Sequence, residues 1–203
     1  PAPATPGGRL ESRCEPDSRA VSVPSVGVVV VAFRSADHLR ACLEAIASAC
    51  REHPMSVVVV DNASPDDTRA AIAGERGVTL IEMGRNAGFA AACNAGVTAT
   101  AADYVCFVNP DGRASEGSID ALVGAAERRP DHALYSGRVL TPEGEVDPGC
   151  ASALPSLWEY FCFATGLSTV FRRSRWFDPA ALGDWDRGDE RTVPAVSGAF
   201  LLA

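Results

Sequence analysis

The sequence predicts an α/β fold with a mainly parallel central sheet flanked by helices. Apolar runs such as VGVVVVAF and MSVVVVD are β-branched and continuous, as strands covered on both faces are. Each is followed by a segment with helical periodicity or a helix-start signal. Strand and helix then succeed one another in steady order, which calls for right-handed crossovers and a layered sheet.

Taken in order, Val26 to Phe33 forms the first strand, and SADHLRACLEAIASAC follows as a helix with Leu39, Cys42, Leu43, Ile46 and Cys50 on one face and Ser35 as N-cap. MSVVVVD is the second strand. SPDDTRAAIAG opens a helix with Ser64 as cap, Pro65 at its first position, and Asp66 and Asp67 facing the positive end of the dipole. VTLIEM is a third strand, GFAAACNAGVTATA a helix of small residues, YVCFV a fourth strand, and SIDALVGAAERR a helix stopped by Pro130. Beyond it, ALYSGRVLTPEGEVD reads as a hairpin turning at Pro142 to Gly144. Residues 150 to 190 read as aromatic and irregular, and VPAVSGAFLLA as a return to strand.

The chain of 203 residues suits one domain. Residues 1–22, mixing Pro, Gly, Ser and charge, are expected to be a flexible leader, and 23–203 the folded domain. The lack of an initiator Met and the stop inside an apolar run lead us to expect a domain truncated at its C-terminal end.

A net charge of −8 opposes the nucleic-acid backbone and no basic stripe relieves it, so nucleic acid is excluded as a partner. All 18 basic residues are arginine, which excludes a lysine Schiff base and a P-loop. The seven cysteines form no CxxC pair and read as free thiols in a reducing compartment. His38, His53 and His132 lack metal-ligand spacing and read as solvated or capping residues. No run is long enough to span a membrane and no signal peptide precedes the fold, so a soluble protein is expected.

In an open parallel sheet, ligands bind beyond the carboxyl ends of the strands. Two acids belong to that rim, Asp61 closing VVVVD and Asp111 following YVCFVNP. Asp61 alone would also suit a ribose contact in a dinucleotide-binding fold. The turn after the first strand, RSADHL, has no glycine, so the phosphate-binding fingerprint of that fold is missing.

In that order, VVVVAFRSADHLRACL, VVVVDNASPDDT, NAGFAAACNAGV, YVCFVNPDGR and VSGAFLL resemble the nucleotide-diphospho-sugar glycosyltransferases of family 2, which have the Rossmann-like GT-A fold. The resemblance runs from Val26 to Leu202 and is greatest to the rhamnosyltransferase-like branch. It implies an inverting enzyme of the hexosyltransferase class. Such an enzyme moves a sugar, in that branch rhamnose, from a nucleotide diphosphate donor to a hydroxyl of a glycan or lipid-linked acceptor. The setting implied is cell-wall or polysaccharide synthesis in the cytoplasm, at the inner face of the membrane.

By the same resemblance Ala32, Phe33 and Arg34 hold the donor nucleotide, and Asp61 accepts a hydrogen bond from a pyrimidine base. Asn86, Gly88 and Asn109 line the donor pocket, while Phe89, Ala92 and Gly96 pack the following helix on the sheet. For Gly96 simple close packing is the preferred reading. Asp111 is the surviving carboxylate of a DxD-like motif and implies Mg or Mn; Asn109 replaces the first acid, and one carboxylate suffices for Mg²⁺ with phosphates and water. Gly198 stands on the acceptor side, with a strand bulge as its alternative reading. Family members often have Asn where Arg34 stands.

An inverting displacement needs a base for the acceptor hydroxyl. In the family this is an acid downstream of the SGA segment, so the base is expected beyond Ala203. Asp184, Asp186, Asp189 and Glu190 read as a solvated loop. A non-catalytic nucleotide-sugar-binding module is the alternative function, and a sugar nucleotidyltransferase a distant third that would want a Gly-rich basic loop after the first strand. The stretch from Trp158 to Phe171, followed by Arg172, Arg173 and Arg175, reads first as core. Contact with a lipid-linked acceptor at an anionic membrane is its other reading.

Overall fold

The computed structural model describes residues 22–172 and 174–203. All but the last residue of the expected leader, Cys14 with it, and Arg173 lie outside the described residues. The first half winds as β1 (Val26–Ala32), α1 (Ala36–Ala49), β2 (Met55–Asp61), α2 (Thr68–Ile72), β3 (Val78–Glu82), α3 (Phe89–Ala99), β4 (Tyr104–Val108) and α4 (Ser118–Arg128). The second half adds β5 (Tyr135–Ser136), β6 (Ala151–Ser152), α5 (Leu157–Ala164), α6 (Leu167–Val170), β7 (Ala195–Val196) and β8 (Phe200–Leu202).

The main sheet has the order β3-β2-β1-β4-β8-β5. Its first four strands are parallel, and β8 enters antiparallel between β4 and β5. That reversal places the start of β8 at the end of β4, where Phe200 pairs with Val108. β6 and β7 form a separate antiparallel pair, so the last apolar run is two strands broken by a turn around Gly198.

Every residue of β1 is buried because both faces are covered. Val26, Val28 and Val30 pack with Leu39, Cys42 and Ile46 of α1 and with Ile119 and Val123 of α4. Val29 and Val31 pack with Val58, Val60 and Ala92 on the opposite face, under α3. That layer is thin by necessity: a Cβ on Gly96 would fall 2.4 Å from Val29 Cγ1, so the helix backbone lies directly on the sheet.

Several local expectations are corrected. Ser35 is the N-cap residue of α1 but makes no side-chain cap bond; its hydroxyl is within 3.2 Å of the Phe33 carbonyl. The second helix begins at Thr68, not Pro65. The start signal in SPDD is spent across the chain instead: Ser64 Oγ accepts from the Arg34 amide at 3.2 Å and Asp66 from the Ala36 amide at 3.3 Å. These bonds tie the loop after β2 to the loop after β1.

The expected hairpin survives as one bridge, Leu140 to Val146, closed by the Thr141 and Gly144 amides. The segment read as irregular contains α5, capped by Ser156, whose hydroxyl accepts from the Glu159 amide at 3.2 Å. Its aromatics are not core. Leu157, Tyr160 and Phe163 are largely exposed, and of this helix only Cys162 is buried.

Candidate functional site

At the carboxyl edge the ends of β1 and β2 are in register, Ala32 beside Asp61, and the Asn62 amide extends the ladder to the Ala32 carbonyl at 2.9 Å. Beyond this edge lies a cavity of about 490 Å³. Phe33 and Arg34 border it from β1, Asn62 from β2, Asn86 from the loop entering α3, and Asn109 and Asp111 from the end of β4. The loops that follow successive parallel strands therefore converge on one opening.

Strand parity corrects the placement of Asp61. Val57 and Val59 face the α1 layer and Val58 and Val60 the α3 layer, so Asp61 turns to the first side and Asn62 to the second. The Asp61 carboxylate is 1% exposed and does not border the cavity. It accepts the Ser64 amide at 2.9 Å and lies 3.6 Å from Arg69 Nε, which makes it the clasp of the loop after β2.

Asn62 takes the place in the wall. Its Nδ2 donates to Asn86 Oδ1 at 3.1 Å, and its Oδ1 accepts the Ala87 amide at 2.9 Å. Asn86 Oδ1 also accepts the Gly88 amide at 3.1 Å. Gly88 has φ of 88° and stands at the N-cap of α3, a conformation that a side chain disfavours; its role is backbone, and it does not itself border the cavity. Ala32 is buried in the core and contributes only its carbonyl.

Phe89 differs from the packing role expected of it. It is 56% exposed and borders the cavity, while Ala92 and Gly96 do pack α3 on the sheet. Arg34 also has a positive φ, 55°, and its guanidinium lies 5.5 Å over the Phe33 ring. Among the described residues it has no carboxylate partner. His38, in the first turn of α1, borders the same cavity, as does Asp111.

Asp111 is exposed and, among the described residues, its carboxylate has no hydrogen bond or ion pair. The peptide of Asn109 just before it is held three ways. Its N–H donates to the Ala199 carbonyl at 2.9 Å, and its carbonyl accepts the Gly112 amide at 2.9 Å and the Cys42 thiol at 3.4 Å. Burial first, and the nearby Asp111 charge second, push the Cys42 thiol up to about 11, so it stays protonated behind the site.

Gly198 sits in the turn whose next residue, Ala199, makes that bond. Apart from its chain neighbours, nothing comes within 4 Å of a Cβ placed on it, so close approach does not explain it, and it lies in a turn between β7 and β8 rather than within a strand. The acids of the 184–190 segment are engaged elsewhere: Asp184 with Arg191, Asp186 with the Gly188 amide, Asp189 with Trp185 and Glu190 with Arg128.

A slightly larger cavity, about 520 Å³, lies between α4, β5 and the segment before β7 and contains none of the predicted site residues. Its acids are the same paired Asp189 and Glu190. The chemistry-bearing opening is the one at the strand ends.

Asn62, His38 and Phe89 escaped the sequence reading. The signal for Asn62 was present in the alternation of the second strand. Nothing in the local sequence distinguishes His38 or Phe89 from surface or core residues.

Residues 27–166 match the sequence profile of Glycosyl transferase family 2. The chain is 34% identical over 187 residues to N-acetylglucosaminyl-diphospho-decaprenol L-rhamnosyltransferase of Mycobacterium tuberculosis, covering 86% of this chain. It spans about 60% of the length of the curated relatives it matches. Among solved structures, mannosyltransferase PcManGT from Pyrobaculum calidifontis, in complex with GDP-Man and Mn²⁺, superposes with TM-score 0.50 at 26% identity, over 61% of this chain and 37% of that one. S. aureus TarS 1-349 in complex with UDP superposes with TM-score 0.52 at 17% identity, over 66% of this chain and 39% of that one. The fold is GT-A, α/β with a mostly parallel sheet.

Proposed function

The chain belongs to Glycosyl transferase family 2, and on that premise we propose that it binds a nucleotide-diphospho-sugar in the cavity at the strand ends and serves an inverting transfer of the sugar to a lipid-linked acceptor hydroxyl. Rhamnose is the sugar we assign, from the identity to relatives whose own name states that transfer. The observation that carries the reading is the meeting, at one opening, of Asp111 and Arg34, neither ion-paired among the described residues, with the amides of Asn62, Asn86 and Asn109.

Each part has a chemical use. The amide side chains present donors and acceptors suited to the edge of a nucleobase, and the exposed faces of Phe33 and Phe89 suit its plane. Arg34 and His38 offer hydrogen bonds to a diphosphate. The start of α3, where Phe89 borders the cavity, favours negative charge as well through the helix dipole.

A divalent cation fits this residue set. No group of three or more His, Cys, Asp or Glu able to hold a metal occurs among the described residues, and Asp111 is the cavity's one carboxylate. An ion such as Mg²⁺ or Mn²⁺ accepts one protein carboxylate when phosphates and water complete its shell. When bound, it would neutralise charge growing on the departing nucleoside diphosphate. Asp111 would hold it, with Asn109 beside it. The turn at Gly198, joined to Asn109 through Ala199, would form the acceptor side. None of the four acids of the 184–190 segment borders the cavity, so none is placed to take the acceptor's proton.

The test is a thermal-shift series with uridine, thymidine and guanosine diphosphates, with and without Mn²⁺, followed by release of nucleoside diphosphate from a nucleotide-activated rhamnose. A ligand at a hundred times its dissociation constant adds about 2.7 kcal/mol. Metal-dependent stabilisation by pyrimidine diphosphates is expected. Indifference to every diphosphate, metal present, would overturn the reading.

A further inference from the structure

We infer that the face built by α5 and the turn after α6 is a docking surface for an anionic lipid bilayer. The inference goes beyond the transfer reaction and holds or fails separately from it.

The surface is apolar over an unusual arc. Leu157 is 89% exposed, Phe163 75% and Tyr160 61%, and Phe161 and Trp158 are half exposed. At about 100° per residue these side chains sweep more than half the circumference of the helix. Such an arc exceeds the stripe that one packed neighbour covers, and it suits immersion in an interface. Cys162 and Glu159 point the other way; Cys162 is fully buried and Glu159 Oε2 is withdrawn from solvent. The one acid of the helix is thus removed from the apolar face.

The adjoining turn extends this face. Trp158 Nε1 donates to the Trp176 carbonyl at 2.7 Å, and the Trp158 ring stacks on Phe161 at 5.3 Å. Trp176 is itself 69% exposed, with the Arg175 guanidinium 5.5 Å over its ring. Arg172 and Arg175 are exposed and, among the described residues, neither has a carboxylate partner.

In a chain of net charge −8, an anionic membrane repels the molecule unless basic groups are gathered where it approaches. Aromatic side chains with polar tips, next to unpaired arginines, supply the two signals that an interfacial surface needs: apolar burial and headgroup charge. A second copy of this chain would bring the same arginines against each other. Lipid phosphates would neutralise them.

The experiment is co-sedimentation of the chain with vesicles of phosphatidylcholine alone and of phosphatidylcholine with phosphatidylglycerol. Quenching of tryptophan fluorescence by brominated phosphatidylcholine in the mixed vesicles is read alongside. Binding to the mixed vesicles, weakened by salt and accompanied by quenching, is expected. The pair Leu157→Ser and Phe163→Ser removes two exposed apolar groups and weakens binding by roughly tenfold or more. The pair Arg172→Glu and Arg175→Glu weakens it too and removes the salt dependence, and it stands as the second test should the first pair fold poorly. In both, the response of the melting midpoint to nucleoside diphosphate stays as in the parent, which separates this surface from the donor cavity. No sedimentation with phosphatidylglycerol, no quenching, or binding unaltered by either pair overturns the inference. So does a dimer that the Leu157→Ser and Phe163→Ser pair converts to monomer.

Discussion

Asn62 and Asn86 are joined amide to amide, at 3.1 Å, and the same Asn62 side chain accepts the Ala87 amide. One buried side chain therefore fixes the loop entering α3 against the end of β2, and with it two walls of the cavity. Asn62→Ala leaves the Ala87 N–H without this partner, at a cost of about 1–3 kcal/mol in stability. Under the proposed function it also weakens nucleoside diphosphate binding by about tenfold or more, since one such bond is worth that much. Calorimetric titration beside a denaturation curve checks both; unchanged affinity removes Asn62 from the site.

Asp61 is expected to behave differently. Its carboxylate holds the Ser64 amide beneath the surface, so Asp61→Ala lowers stability by about 1–3 kcal/mol through an unsatisfied buried donor. Diphosphate affinity of the folded protein changes less than for Asn62→Ala. A larger affinity loss at Asp61 than at Asn62 would reverse the assignment made from strand parity.

Asp111→Asn keeps the size of the side chain and removes its charge. We expect Mn²⁺ to lose its effect on diphosphate binding, with metal-free binding little altered and the melting midpoint close to the parent's, because the carboxylate has no hydrogen-bond or ion-pair partner among the described residues. Titration with and without Mn²⁺ reads this directly. A metal effect of unchanged size would mean that the cation is held elsewhere.

The buried thiols give a pH dependence of known sign. Cys106 is pushed up to about 12 by burial and by Cys50, and Cys42 up to about 11, against an ordinary value of 9.0. A folded value above the unfolded one means that the neutral thiol is favoured by the fold. The contribution is therefore complete below 9.0 and is lost as pH rises from there through about 11 to 12. The unfolding midpoint should fall between about pH 9 and about pH 12. Cys106→Ala should flatten part of that fall, and a parent profile without any decline would refute the account.

Gly96→Ala tests the thin layer under α3. The new Cβ would meet Val29 Cγ1 at 2.4 Å and Val60 Cγ2 at 3.2 Å. Overpacking of this kind costs about 1–3 kcal/mol, read as a lower denaturation midpoint. Because α3 carries Phe89, a lift of the helix would also loosen the cavity mouth.

The parallel half of the fold was legible because its signals are local: continuous β-branched runs, helical faces and glycine breaks. The half beyond α4 was not, because β5, β6, β7 and β8 are two or three residues long and exist only through partners distant in sequence. The place of β8 between β4 and β5 has no local signature. SPDD carried a genuine helix-start pattern, yet its oxygens bond across to Arg34 and Ala36, a tertiary demand that outweighs the cap. At the candidate site, Phe33, Arg34, Asn86, Asn109 and Asp111 of the motifs border one cavity. Asp61 was expected in the wall because it is the charged residue, whereas strand alternation turns it away from the cavity lining and brings Asn62 there. The aromatics of α5 read as core because composition cannot tell an inward from an outward apolar face.

The peptide of Asn109 is a junction at which two distant parts of the chain, α1 through Cys42 and the turn at Ala199, meet the local bend closed by Gly112. If the Gly198 turn forms the acceptor side as proposed, chimaeras that exchange it will displace Asp111 unless the carbonyl at 199 keeps its position. Under the proposed function the donor and acceptor sides would therefore not be modular, and recombination between relatives should succeed at the edge strand β3 more readily than at this crossing.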